Sequence, residues 1–539
     1  MRIQHRVRSQ LILVSMRYGV VGVASLLRRR RGSKAAGRNA DGVESLRRGA
    51  GKARRFRRRL RGARGLADEA NDRGIEESAP ESRTPEPSTG GPGPAADTPD
   101  MSEGGVRKAI PGRPDRSGRT IILPLQLAVV VIVFGQRLAV PVGSAQVPFV
   151  LVGVYGVLVV LAARDLLRYD RVRFELFVVG MAACCLATLL ASIRGEAYSV
   201  ASLLYLLMSY LPWVFCVRSG LGWIYPLVVR FYLNAMVVVA LLAVTQMGLQ
   251  FLNVRYPDPV SALPEALRLG SFNTTYPVVY GSSILKSNGM VMLEPSFLSQ
   301  FLALAAVGAV LIRASAWRVA LYGVALVASV SGTGVVLLVV GFAALIGRAR
   351  GWMRPALFWP AVALVAVMLT TPLGAAFSER RGEFGSGPSS ANLRFITPYE
   401  EVASGLEEDP ARYLTGAGAG AADRTLESGR DRHGMAVVYP SLAKLVYEYG
   451  IVSGLLFAAF MVVCLFWRVR LPVLPTCCFL MLFVLSGSLL QPHTVFLVWI
   501  LTSLFGRSDA EAAAGLGDPH AALTWMTHRR RSEASLDPS

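Results

Sequence analysis

From Ile121 to Gly506 the chain is a succession of apolar runs, most of them near the length that crosses a bilayer, each closed by a short polar connector. Backbone that crosses hydrocarbon must satisfy its own hydrogen bonds, which favours helices over open strands. The pattern therefore predicts an all-α integral membrane protein with about twelve transmembrane helices and a large extracytoplasmic loop before the last three spans. Composition agrees, because 53% of residues are hydrophobic and only 17% are charged, too few to clothe a water-soluble surface.

A formal net charge of +21 is the kind of balance seen in nucleic-acid-binding chains, but here the excess is local. About twenty Lys and Arg fall at or before Arg64, against Asp41 and Glu44 alone. No nucleic-acid partner is expected. Residues 1–118 read as a disordered cytoplasmic tail, Arg-rich and then Pro/Ser/Glu-rich (ESAPESRTPEPSTGGPGPAADTPD), with too little apolar surface to fold. Met101 opens the segment leading to the first span and is an alternative start. The mildly apolar stretch 11–27 is broken by Arg17 and suits an interfacial helix better than a signal peptide. Residues 119–506 form the membrane domain, and 507–539 a second cytoplasmic tail.

Lys and Arg collect in short cytoplasmic loops of membrane proteins. With the N-terminus inside, the cytoplasmic connectors become ARDLLRYDRVR (163–173), VRSG (217–220), RASAWR (313–318), RARGWMR (348–354) and RVR (468–470), all carrying Arg. The same phase puts two long loops outside, 250–293 and 372–439, with short outer turns near Gly143, Arg194, Ser331 and Gln491. The localisation expected is a multi-pass cell (inner/plasma) membrane protein with both termini cytoplasmic. Runs 317–331 and 334–347 are shorter than a normal span, and SGTG joins them, so they predict a tightly packed hairpin. Cys184, Cys185, Cys216, Cys464, Cys477 and Cys478 all lie in apolar stretches without CxxC spacing and read as packing residues, with no metal site expected.

Ionisable groups at the edge of hydrocarbon need a reason to be there. Glu294 and Pro295 stand at the outer entrance of a span, where Ser296 is placed to cap the first turn; helix initiation alone is the simpler reading. The second outer loop holds SSANLRFITPYEEVASGL, in which Arg394 is available for a bidentate phosphate contact or, more blandly, for pairing with Glu400 or Glu401. Gly416, Gly418 and Gly420 alternate with small residues and permit positive φ angles and close approach to an anion. His433 follows, and then Tyr447, Glu448 and Gly450 in the re-entering helix, where Lys444 and Glu448 at i and i+4 are spaced to pair with each other.

In this order, EPS, S..NLR, L.GAGAG and YEYGIVSGLL resemble the O-antigen ligase and O-antigen polymerase family of polytopic membrane glycosyltransferases. The likeness runs from 121 to 506 and includes SVSGTGVVLLVVG, similar to the Ser-rich helix pair ahead of the large outer loop. The chain departs from the family pattern at Thr333 and Lys286, where Arg is common, and His433 is not followed by Asn. The resemblance implies a metal-independent, cofactor-free glycosyltransferase that takes a glycan from an undecaprenyl-diphosphate carrier on the outer face. It further implies catalytic roles for Glu294, His433 and Glu448, and diphosphate binding by Arg394, Lys286, Gly416 and Gly418. The EPS signature points to the polymerase branch, which joins lipid-linked repeat units, with a flippase and a chain-length regulator as possible partners beside membrane lipids. The alternatives are ligase-type transfer of a finished glycan to an acceptor, and a lipid-linked glycan flippase or other transporter.

Overall fold

The computed structural model describes residues 116–348, 396–428 and 439–506, apart from positions 144, 219–220, 271, 273, 279–281, 471 and 486. Its framework is helical. The first half runs through α1 (Arg116–Phe134), α2 (Phe149–Ala163), α3 (Arg171–Ile193), α4 (Val200–Tyr210) and α5 (Tyr225–Phe251). After a long loop come α6 (Pro295–Leu311), α7 (Ala316–Ser329) and α8 (Gly332–Arg348). The last part holds α9 (Thr397–Glu408), α10 (Ala421–Ser428), α11 (Ser441–Phe466), α12 (Val473–Leu480) and α13 (Pro492–Leu501). Two antiparallel strand pairs trim the helix ends: β1 (Ala139–Val142) with β2 (Ala145–Pro148), and β3 (Leu167–Tyr169) with β4 (Phe215–Val217).

Three helices, α3, α5 and α11, are long and apolar enough to cross a membrane, and eight further apolar helices are shorter. The count of about twelve spans thus meets eleven apolar helices among the described residues; the apolar run after 354 lies outside them. Helix exteriors are apolar as well as interiors: Leu127, Val159, Leu189, Leu241, Val324 and Leu455 are all exposed. A surface of this kind is stable only when an apolar solvent covers it, which makes this a membrane protein.

The expected short hairpin is present. α7 ends at Val330, held at φ 45°, and α8 starts two residues later. Both pack on α6, whose residues Phe297 to Ala309 are buried on every side, as an all-round apolar helix at the centre of a bundle must be. A Cβ at Gly334 would sit 2.5 Å from the Ser299 carbonyl oxygen, so the SGTG turn lets the α8 backbone close onto α6. α3 and α11 form the other close pair, with Gly180 against the Phe457 backbone.

Helix ends gather into two sets. At one end Arg173, fully buried, donates to the carbonyls of Ser503 and Trp467 at 2.7 and 3.2 Å, while Arg218 pairs with Asp165 and Arg470 donates to the Phe505 carbonyl. These belong to the three Arg-rich connectors 163–173, 217–220 and 468–470. At the other end Arg137, beyond α1, reaches Asp258 and Met290 of the loop after α5, and Arg194, beyond α3, pairs with Asp409. The alternation of connectors read from Arg content is therefore realised as two separate clusters. All six cysteines are free thiols, and only Cys185 is exposed.

Candidate active site

The approach to α6 is built around one side chain of α5. The Gln246 carboxamide oxygen accepts from Ser287 Oγ, Asn288 N and Gly289 N at 2.7, 3.0 and 3.0 Å. Its Nε2 donates to Asn288 Oδ1 and to the Pro257 carbonyl. Gln246, Ser287 and Asn288 are all inaccessible to solvent, so this satisfied network specifies one conformation of the segment before Glu294. Arg137 closes the other side with a two-pronged bond to Asp258, 2.5 and 2.8 Å, and a third to the Met290 carbonyl. Fork-to-carboxylate geometry with both partners largely buried fixes the loop to the bundle.

Glu294 then stands at the N-cap of α6, with Pro295 in the first turn as expected. Its carboxylate is half-buried and accepts from Ser296 Oγ at 3.0 Å. Ser296 is thus not the cap: its hydroxyl serves Glu294 instead of a backbone amide. Behind it, Ser299 Oγ meets Thr333 Oγ1 at 3.3 Å, which joins EPS to the SGTG turn. Lys286 lies eight residues earlier in the same built segment; its N–H bonds the Tyr276 carbonyl and its own carbonyl accepts from Tyr256. Burial pushes the Tyr256 phenol up to about 12, so it remains a proton donor there.

Glu448, Gly416 and Gly418 form a second group. α11 is broken at Gly450, which adopts φ 76°. The carbonyls freed above the break are taken by the Gly-rich turn, Ala417 N to Tyr447 O at 2.8 Å and Gly418 N to Glu448 O at 3.1 Å. Gly416 N is likewise used, on the Arg412 carbonyl. These amides face the helix break, so the turn that the resemblance assigned to a diphosphate is occupied by backbone of this chain. Glycine is required because Gly416, at φ 65°, lies directly against the Glu448 backbone. The anion the turn does hold is internal: Glu448, fully buried, receives the N–H groups of Gly420 and Ala422.

The anticipated Lys444–Glu448 pair exists at 3.7 Å, but Lys444 is closer to Asp423 of α10, at 2.6 Å. Outside the membrane helices, Arg412 donates twice to Glu196, and that carboxylate holds its guanidinium above the usual range. Arg412, Arg194 and Asp409 thereby tie the Gly-rich turn to the end of α3. α9 confirms a helix of mixed polarity, with Pro398, Val402 and Leu406 as its inner face; Glu401 takes a hydrogen bond from Tyr439. Arg394 and His433 lie outside the described residues.

Arg137, Gln246, Asp423 and the Gly450 break were not anticipated. Arg137 and Asp258 are separated by 121 positions, and no local pattern connects them. Gly450 carried a signal, since glycine inside an apolar helical run marks a break or a close approach.

Taken together, the apolar-clad helical bundle, the carboxylate capping its central helix and the Gly-rich turn locked onto a broken helix define a polytopic membrane protein with its polar chemistry at one set of helix ends. Comparison with known families narrows this. Residues 124–506 match the WcaD colanic acid polymerase family, an O-antigen polymerase-type family, and the chain belongs to it. No curated protein and no solved structure matches the chain.

Proposed function

We propose that this protein polymerises glycan repeat units carried on undecaprenyl diphosphate at the outer face of the cell membrane. The observation that carries the reading is Glu294, a half-buried carboxylate held at the outer end of the most buried helix by a segment whose conformation is fully specified, in a chain of the WcaD family. In the reaction, an acceptor sugar hydroxyl attacks the anomeric carbon of the donor glycan. The new C–O bond forms as the bond from that carbon to the diphosphate breaks, and undecaprenyl diphosphate departs with the electron pair. Glu294 takes the hydroxyl proton as general base. Lys286 and Arg394 balance charge developing on the diphosphate, and His433 assists at the same face. Gly416, Gly418 and Glu448 take a positioning role: their mutual bonds support holding the second outer loop against α3 and α11. Units reach this face through a flippase, and a chain-length regulator sets when elongation stops.

Deletion of the gene, followed by sizing of the glycans on extracted undecaprenyl lipids, tests the reading. Accumulated single repeat units support polymerisation. Accumulated long lipid-linked chains would show ligase-type transfer instead, and an unchanged profile would point to transport or a structural role.

A further inference from the structure

Beneath Glu294 the bundle contains polar side chains that serve no bond described so far. Gln300 on α6 is wholly inaccessible, yet neither its Nε2 nor its Oε1 has a partner; the same is true of both polar atoms of Gln136 at the end of α1. On the first turn of α13, His493 Nε2 and Thr494 Oγ1 are also buried and unpartnered.

These groups share one level and one region. His493 packs edge-on against Phe297 with ring centroids 4.7 Å apart, and Phe301 lies 6.3 Å away. Glu294, Phe297 and Phe301 are spaced i, i+3 and i+7, so they form one stripe of α6 facing His493. Gln300 lies roughly 60° around the helix from Phe297, on the side away from Glu294. α13 packs against α1, whose end carries Gln136 next to Arg137, the residue that holds Met290.

A buried amide or imidazole without a partner is destabilising, and a bundle does not keep several at one level without something to satisfy them. The set is neutral. Glutamine offers both donors and acceptors, as do imidazole and threonine, which matches the dual character of hydroxyl groups and not the acceptor-only character of a phosphate. Phe297 and Phe301 add apolar ring faces of the kind that pack on the C–H side of a sugar ring. We infer that Gln300, His493, Gln136 and Thr494 form a glycosyl-binding subsite directly below Glu294, which holds the hydroxyl-bearing sugar of the acceptor. The inference rests on the assignment of Glu294 as general base.

The test uses the full chain in lipid nanodiscs with two probes: the lipid-linked glycan fraction extracted from the deletion host, and undecaprenyl diphosphate alone. Wild type is expected to show a rise in Tm with the glycan-bearing probe beyond that with undecaprenyl diphosphate. Gln300→Leu and His493→Phe should each raise the Tm of the ligand-free protein, because an unpartnered polar group is removed, and weaken binding of the glycan probe about tenfold. Equal shifts with both probes in wild type would overturn the subsite, as would unchanged glycan binding in the variants. A lower ligand-free Tm or failure to fold in both variants would make the cluster a hydrated structural element and overturn it too. Glu294→Gln should keep the glycan-dependent shift while losing turnover; full turnover in that variant removes the base and leaves the binding result standing.

Discussion

Glu294 is placed by its neighbours in sequence and held by residues far from it. Pro295 favours the first turn of a helix and stops it extending backward, which leaves the preceding carboxylate at the helix entrance. If the side chain removes a proton in the transition state, Glu294→Gln lowers glycan elongation by about 100-fold or more without changing membrane insertion. Sizing of polymer made by membranes carrying the variant measures this. Two supporting residues affect stability instead. Gln246→Leu leaves Ser287 Oγ, Asn288 N and Gly289 N without their buried acceptor, at about 1–3 kcal/mol for each group left unmade. Arg137→Ala strands Asp258, a loss of about 3–5 kcal/mol for a buried pair broken on one side. Thermal unfolding in detergent should register both as clear drops in Tm. The EPS signature was readable in the sequence because it is three adjacent residues. The glutamine that orders its approach sits 42 positions before Asn288 and was not.

At the level of elements, the broken helix α11 and the Gly-rich turn explain each other. A continuous helix would use the carbonyls of Tyr447 and Glu448 internally; the break at Gly450 releases them to the amides of Ala417 and Gly418. A Cβ at Gly450 would stand 2.5 Å from the Leu414 carbonyl oxygen, and its φ of 76° is itself unfavourable to other residues. Gly450→Ala should therefore destabilise the protein by more than the ~1–2 kcal/mol of the backbone conformation alone. The expected readout is a lower Tm and greater protease sensitivity near residue 415; unchanged values would mean the break relaxes without it. Alternating glycines were legible as a turn. That the turn accepts a helix of the same chain, and not a phosphate, depended on the unforeseen break.

Across the whole molecule, the connectors rich in Arg meet at one set of helix ends, and the loop before Glu294 and the turn after α3 lie at the other. If the first set is cytoplasmic, a membrane-impermeant maleimide added to intact cells labels Ser261→Cys and leaves Arg218→Cys untouched, in a background lacking the six native thiols. Both positions are exposed, so access is decided by the side of the membrane. Labelling of both from the same face would refute the topology.

The sequence by itself determined the solvent, the helical class, the alternation of connectors and the position of the EPS entrance. Each follows from local regularities: run length against bilayer thickness, Arg content of short loops, and proline's fixed φ. Only the tertiary structure decided that Lys444 binds Asp423 more closely than Glu448, that the Gly-rich amides are spent on a broken helix, and that Gln300 and His493 meet below Glu294. These are pairings between residues tens to hundreds of positions apart. They arise when helices pack side by side, and the pattern of apolar residues along a chain states that helices will pack without stating which polar atoms will then face each other.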